Sequence, residues 1–276
     1  MIPNLQIAKT VKLIMLASTL ILIAFSLNAQ AALISYSNAG KDLVYSSVSN
    51  VTWTKDANLL KTMIEARGLE PLVEDILAVT PSISNTPNYL SPNGNYVLSI
   101  FDFNDGDISN ISGVSTWFGA LAFVNYLNHI NYAGSNQWQL PLGTYRTWYQ
   151  LVFNFGRSIG NGTTDGDELA ELYYHELGRQ QLEGFPDTDI FDQEQINANY
   201  WYGNESGSMT GEYAWAFNFR EGDQKIREKG EQYFYYAWAI TPGRISAVPE
   251  PESVVMMLVS LGLMAGVVRR KQKSFG

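Results

Sequence analysis

The chain has 276 residues, no cysteine, two histidines and a formal net charge of −9, and only 16% of its residues are charged. The lack of cysteine excludes disulfide bonds, metal sites with thiolate ligands and thiol nucleophiles, and two histidines cannot form a three-histidine metal site. The acidic balance argues against nucleic acid as a partner, because phosphates are neutralised by clustered Lys and Arg side chains.

Residues 1–31 have the three parts of a secretory signal peptide. Two lysines form a basic region, an apolar run follows over 13–27, and Ala29 and Ala31 are spaced as an A-x-A cleavage site. The run is shorter than the ~20 residues that a membrane-spanning helix usually needs. The sequence therefore predicts export through the secretion machinery and cleavage by signal peptidase, with an uncleaved anchor as the alternative.

The opposite end, 247–273, also has three parts. They are the tripeptide Pro249, Glu250 and Pro251, an uncharged apolar helix over 254–268, and a basic tail over 269–273 that contains Arg269, Arg270 and Lys271. The prolines cannot continue a helix, so they leave extended backbone that a processing enzyme could reach at the membrane surface. The cationic tail is expected to stay on the cytoplasmic side.

This tripartite end resembles the PEP-CTERM sorting signal of Gram-negative bacteria. The resemblance implies recognition by an exosortase, transient anchoring in the inner membrane through the C-terminal helix, and removal of the tail. It further implies release to the cell surface or into an extracellular exopolysaccharide matrix. A plain single-span transmembrane anchor without processing is the alternative.

Residues 32–246 are predicted to form one α+β domain. The first predicted elements are strands over 43–45 and 51–53, a helix over 56–79, a loop over 81–95 and a strand over 96–103. Three helices are predicted next: one from Ser115, one after Pro141 and one over 165–177, which Gly178 would cap. The last predicted elements are a strand over 213–219, a turn over 221–223 and a strand over 233–240. The last strands alternate large and small side chains, which predicts an antiparallel meander with one buried aromatic face. Because helices precede these strands, a segregated arrangement is favoured over a doubly wound sheet.

Five tryptophan-containing blocks follow the order seen in DUF1566 (Lcl C-terminal-like) domains. The blocks lie at 51–58, 136–141, 200–205, 214–219 and 236–243. This resemblance covers most of 43–244 and implies a fold similar to C-type lectins and formylglycine-generating enzymes, with the tryptophan blocks as core strands and no established activity. The chain departs from the usual blocks at three places. Gln139 replaces the usual Arg, Tyr202 and Gly203 replace the usual pair of serines, and Thr241 replaces the usual Arg of the last block. The aromatic residues are expected to be core, with a ligand platform as the alternative.

Motifs for catalysis are incomplete. The segment 156–160 matches the G-x-S-x-G elbow, but an elbow requires a helix directly after its serine, and further glycines follow instead. His175 lacks the second histidine of a zincin helix, because Arg179 stands at that position. An iron site with two histidines and one carboxylate would require His129 to meet His175. We therefore expect that the protein is not an enzyme.

Acidic clusters are the remaining indication of a cofactor, and the cofactor they suggest is calcium. The clusters contain Asp102, Asn104, Asp105 and Asp107; then Asp165, Asp167 and Glu168; then Asp187, Asp189 and Asp192. Oxygen ligands at two-residue spacing on loops suit this hard cation, although none of the clusters has the EF-hand pattern. For the second cluster, capping of a helix N-terminus is the alternative.

The sequence thus predicts an exported, exosortase-processed protein of the cell surface or of an exopolysaccharide or biofilm matrix. Its domain is expected to be a non-catalytic binding or structural module, with extracellular polysaccharide as a candidate partner. The alternative is an exported metal- or carboxylate-dependent hydrolase of extracellular polysaccharide, in which Asp165, Asp167 or Glu168 would serve as acid and base.

Overall fold

The computed structural model describes residues 33–105, 112–143, 167–184, 186–207, 211–230 and 232–246. Outside the described residues lie the predicted signal peptide, the predicted C-terminal sorting segment, most of the region after Pro141 with its predicted helix, the motif at 156–160, Asp107 and Asp165. Among the described residues, no helix has the length and apolar character to cross a membrane.

The domain begins with three antiparallel strands. These are β1 (Leu33–Asn38), β2 (Lys41–Ser46) and β3 (Val51–Thr54), which confirm the strands predicted at 43–45 and 51–53. Ala39 and Gly40 connect β1 to β2, and both have positive φ angles, of 48° and 70°. Two-residue turns of this kind match the twist of the strands that they connect.

The helix predicted over 56–79 is divided into two helices. They are α1 (Leu59–Arg67) and α2 (Leu69–Val79), and Gly68 separates them. Gly68 has φ 89° and ψ 151°, a conformation that a residue with a Cβ rarely adopts. The apolar spacing continues across the break, since Ile64 and Leu72 are both buried, and for this reason the sequence pattern did not reveal it.

The next segment corrects two predictions. The region 81–95 contains a strand, β4 (Ser82–Ser84), which pairs with β5 (Asn95–Val97), and the strand predicted over 96–103 ends early at β5. A 3₁₀ turn follows over Ile100–Phe103, where Ser99 forms a capping box with Asp102. Reciprocal bonds of this box satisfy backbone donors locally and favour a helical turn over a continued strand.

The helix predicted from Ser115 begins slightly later. Val114–Ser115 is the short strand β6, and α3 covers Trp117–His129. The hydroxyl of Thr116 caps α3 by accepting a hydrogen bond from the amide of Gly119 at 3.1 Å. α3 is buried along most of its length.

The helix predicted over 165–177 is present in its described part. α4 (Glu168–Glu171) continues into a π-helical turn over Leu172–Glu176. Asp167 caps α4, and Gly178 follows the turn with φ 62°. This positive φ is typical of a glycine that ends a helix, as predicted.

Three longer strands form an antiparallel meander. They are β7 (Asn199–Glu205), β8 (Tyr213–Asn218) and β9 (Asp223–Glu228), and they confirm the strand at 213–219 and the turn after it. The predicted aromatic face of β8 is buried, and the opposite face, which carries the alanines, is covered as well. Trp215 and Phe217 belong to one core cluster, whereas Ala214 and Ala216 belong to another, which also contains residues of α3.

The strand predicted over 233–240 is divided between two sheets. β10 (Tyr235–Tyr236) lies in the five-stranded sheet β6-β10-β7-β8-β9, and β11 (Ile240–Pro242) lies in the four-stranded sheet β1-β2-β3-β11. Trp238 lies between them, fully buried, and donates from its indole Nε1 to the carbonyl of Thr54 at 3.0 Å. The predicted α+β class is confirmed by the helices and antiparallel sheets. In the four-stranded sheet, the pairing of β11 with β3 connects the last strand of the domain to its first three strands.

Candidate functional site

Asp102, a predicted calcium ligand, is a carboxylate buried among protein donors. Its side chain is 0% exposed. Oδ1 accepts hydrogen bonds from the hydroxyls of Thr116 at 2.7 Å and Tyr96 at 3.1 Å, and Oδ2 accepts from the amide of Ser99 at 2.8 Å. These bonds join the 3₁₀ turn to the start of α3. In the same cluster, Asn104 is half-buried and Asp105 is exposed.

Asp167 is buried in the same way, on the other side of the five-stranded sheet. It is 1% exposed, and Oδ1 accepts from the hydroxyl of Tyr202 at 2.6 Å and the amide of Ala170 at 3.0 Å. The amide side chain of Gln224 donates to Oδ2. Burial, together with the charge of Asp167, raises the pKa of the Tyr202 hydroxyl well above its usual value. The hydroxyl therefore stays protonated and donates.

Glu168, the next residue, has a different partner. Its Oε2 accepts a hydrogen bond from the amide of Leu142 at 2.6 Å, which connects α4 to the chain near Pro141. Burial raises the pKa of Glu168 to about 7. Of the three carboxylates proposed as a hydrolase acid and base, the two described ones are thus both hydrogen-bonded to neighbouring protein groups.

The third acidic cluster lines an open cleft of about 640 Å³. The residues around this acidic cleft are Asp56, Thr62, Asp187, Thr188, Asp189, Phe191, Asp192, Gln193 and Glu194. Backbone bonds hold its two walls together, because the amide of Ala57 donates to the carbonyl of Asp192 at 2.8 Å and the amide of Asp192 donates to the carbonyl of Lys55 at 2.9 Å. Asp56 and Glu194 also belong to this group, although their spacing in the sequence did not indicate it.

Carboxylates dominate the charge of the acidic cleft. Burial raises the pKa of Asp56; hydrogen bonds from Thr62 and Asn58 partly oppose this, and the charge of Asp192 raises it further. Lys55 compensates part of the negative charge, with its Nζ 3.1 Å from Oδ2 of Asp192. Such a surface offers hydrogen-bond acceptors to a ligand rich in hydroxyl groups.

The described residues do not contain a group of three or more His, Asp or Glu side chains arranged to hold a metal ion. His175 places Nδ1 2.7 Å from Oε1 of Glu171, one helical turn earlier. His129 instead lines a shallow groove beside Asp75 and Tyr126, at the end of α3. The structure therefore does not unite His129 and His175 in a metal centre.

The structure reveals one polar cluster that the sequence analysis missed. Lys229, directly after β9, has a side chain that is 0% exposed, and its Nζ lies 3.1 Å from Oε1 of Glu205 and 3.1 Å from Oδ1 of Asn85. The same Nζ lies 5.2 Å from the ring centre of Trp117 and 5.5 Å from that of Phe118. A buried lysine is rare unless it is paired. No sequence pattern separates Lys229 from Lys225 and Arg227, the half-buried cations of β9.

Comparison with known proteins identifies the C-terminal segment. Residues 247–272 match the PEP-CTERM protein-sorting motif, in the segment where the sequence predicted it. No curated protein and no solved structure matches the chain significantly. The chain therefore carries the sorting signal of an exported protein that is targeted to an exosortase and processed at the membrane.

Proposed function

We propose that exosortase processing delivers this protein to the cell surface or to an exopolysaccharide matrix, where its domain acts as a non-catalytic binding or structural module. The observation that carries the proposal is the PEP-CTERM motif at 247–272. Without its two ends the chain has 12 Lys and Arg and 25 Asp and Glu, a formal net charge of −13. This charge and the lack of cysteine suit an exported body that repels its own copies and needs no oxidative folding.

A DUF1566-like, lectin-related fold is the finer part of this proposal. It is supported by the burial of the tryptophans in the resembling blocks, which are Trp53, Trp138, Trp201, Trp215 and Trp238, each at most 2% exposed. Pairing of β3 with β11 also brings the first and last of these blocks together. The tryptophans thus support a role in the core more than a role as a ligand platform.

The sorting half of the proposal is tested by replacing Pro249, Glu250 and Pro251 with alanine in the full-length chain. In a host that carries an exosortase, we expect the unaltered chain to lose its C-terminal tail and leave the membrane fraction. The variant should keep its tail and stay with the membrane. Fractionation and intact mass measure both properties.

A matched control changes the same residue types elsewhere. Glu70→Ala with Pro71→Ala lies on the exposed start of α2 and should be processed like the unaltered chain. Equal tail removal in the sorting variant and in this control would contradict the proposal.

The binding half concerns the acidic cleft, because its carboxylates can accept hydrogen bonds from sugar hydroxyls. We expect the full-length chain to bind an extracellular glycan, and Asp187→Asn with Asp189→Asn to lower that binding about tenfold, which corresponds to about 1.4 kcal/mol. A glycan array with and without added calcium measures this. Glu70→Gln with Glu74→Gln removes equal charge from α2 and should have no effect; an equal loss in both variants would contradict a role for the cleft.

A further inference from the structure

We propose that Lys229 and Asn85 become joined by an intramolecular amide cross-link, with Glu205 as the group that moves the proton. This inference does not depend on the proposed function. It rests on a half-buried asparagine and a half-buried carboxylate that the fold brings into contact with a buried lysine.

The reacting groups are already in contact. Nζ of Lys229 lies 3.1 Å from Oδ1 of Asn85. Because the Cγ–Oδ1 bond is about 1.2 Å long, Nζ lies no more than about 4.3 Å from the Cγ that it would attack. Reacting atoms about 3–3.5 Å apart define a near-attack geometry, so a shift of about 1 Å or less completes the approach.

Hydrogen bonds hold the side-chain amide of Asn85, whose carbonyl carbon is the electrophile of the proposed reaction. Its Oδ1 accepts a hydrogen bond from the side-chain amide of Asn88 at 3.0 Å, and the hydroxyl of Ser91 lies 3.1 Å from the same oxygen. These donors polarise the carbonyl and would stabilise the negative charge that Oδ1 acquires during attack. The backbone amide of Asn85 also donates to the carbonyl of Gly94 at 2.9 Å, which fixes the loop.

The surroundings of Lys229 favour its Nζ as the nucleophile of the proposed reaction. Its side chain is 0% exposed and is covered by the rings of Trp117 and Phe118, so water cannot compete for Nζ. Burial lowers the pKa of Lys229, although the hydrogen bond and the charge of Glu205 oppose this. A lysine in such a site gives up a proton more readily and becomes nucleophilic.

Glu205 is placed to accept that proton. Its Oε1 lies 3.1 Å from Nζ of Lys229 and accepts from the amide of Thr86 at 3.0 Å. Burial raises the pKa of Glu205, but the hydrogen bonds from Thr86 and Lys229 outweigh burial and lower the pKa overall. The carboxylate is therefore ionised and able to act as a general base.

The reaction needs no oxidant and no further reactant. Glu205 takes one proton from the ammonium group, and the freed electron pair of Nζ forms a bond to Cγ of Asn85. As the Cγ–Nδ2 bond breaks, Glu205 returns its proton to Nδ2, which leaves as ammonia. Glu205, whose side chain is 23% exposed, then takes the remaining extra proton from Nζ and passes it to solvent, and a neutral amide is left.

The cross-link would join parts of the chain that are 144 residues apart. It would attach the loop after β4 to the end of β9. Glu205, the last residue of β7, would then lie next to the new bond. An exported chain without cysteine would thereby obtain a covalent connection that disulfide bonds cannot supply.

The test is a peptide map of the folded full-length chain. We expect tryptic digestion to give a branched peptide that joins the segments containing Asn85 and Lys229, lighter by one ammonia than the two linear peptides together. Trypsin should no longer cleave after Lys229. Asn85→Asp should form the same amide by loss of water, so its cross-linked product should have the same mass as that of the unaltered chain.

Two variants separate this chemistry from other causes of ammonia loss. Lys229→Arg keeps the charge but cannot form the amide, so it should give linear peptides only. Glu205→Gln should form the cross-link about 100-fold more slowly, while circular dichroism shows that the domain is folded. Linear peptides with unmodified Asn85 and Lys229 from the folded unaltered chain would overturn the proposal. Ammonia loss that persists in Lys229→Arg would also overturn it.

Discussion

Buried carboxylates in this domain connect elements that are distant in the sequence. Asp102 joins the 3₁₀ turn to α3, and Asp167 joins the start of α4 to Tyr202 of β7 and Gln224 of β9. Hydrogen bonds to a charged group contribute roughly 1.5–3 kcal/mol each. Both residues belong to clusters that the sequence analysis connected with calcium, and both are instead engaged by donors of the chain itself.

Glu176 is a buried carboxylate with a different effect on stability. Both of its side-chain oxygens are buried. Burial raises the pKa of Glu176 from 4.5 to about 7; the charge of Glu171 adds to this, and nearby Ser46 opposes it. Between these two values the folded state binds more protons than the unfolded state. The free energy of unfolding therefore falls as pH rises from about 4.5 to about 7.

We expect Glu176→Gln to remove this penalty. The variant should be more stable than the unaltered chain by on the order of 2 kcal/mol at about pH 8 and equally stable at about pH 4. Urea denaturation at both pH values measures the difference. Glu74→Gln, on the exposed face of α2, serves as the control. If the free energy of unfolding of Glu176→Gln depended on pH in the same way as that of the unaltered chain, Glu176 would not be the source of this pH dependence.

At the scale of elements, Gly68 decides that one apolar stretch becomes two helices. Its φ of 89° and ψ of 151° belong to a region that is nearly exclusive to glycine. We expect Gly68→Ala to destabilise the domain by about 1–3 kcal/mol through backbone strain. The added Cβ would lie 3.4 Å from Cδ of Pro71, an ordinary contact, so steric overlap does not contribute.

The matched control for this prediction is Gly178→Ala. Gly178 has φ 62°, and a Cβ there would meet nothing within 4 Å; this left-handed conformation costs an alanine only about 1 kcal/mol. Chemical denaturation of both variants gives the comparison. An equal loss of stability in the two would show that the conformation of Gly68 is not required.

The sequence predicts elements well where local pattern determines them, and less well where contacts between elements do. β2, β3 and β8 follow from alternation, and Gly178 follows from its place after a helix. The capping box of Asp102 and the break at Gly68 depend on backbone angles that apolar spacing does not contain. The burial of Lys229 depends on Trp117 and Glu205, which lie far away in the chain, so no local pattern signals this cluster.

At the scale of the whole molecule, Trp238 is the point where the two sheets meet. Its ring centre lies 4.8 Å from those of Trp53 and Phe191 and 5.4 Å from that of Tyr200, and it is 0% exposed. We expect Trp238→Ala to lower the free energy of unfolding by about 3–5 kcal/mol, because a large cavity is left in a close-packed core.

Thermal and urea denaturation followed by circular dichroism measure this loss. Trp238→Phe should lose less, since it keeps a ring in the core. Leu182→Ala, at a side chain that is 73% exposed, should be close to neutral. A cost for Trp238→Ala no larger than that of Leu182→Ala would mean that the two sheets are stable independently.

The pairing of β11 with β3 has a consequence for maturation. β11 completes the first sheet and ends at Pro242, and the sorting motif begins at Ala247. Six residues lie between Pro242 and Pro249, so the seven steps from one proline to the other can extend to about 25 Å at most. The tripeptide that marks the substrate for the exosortase therefore lies within about 25 Å of the last strand of the domain.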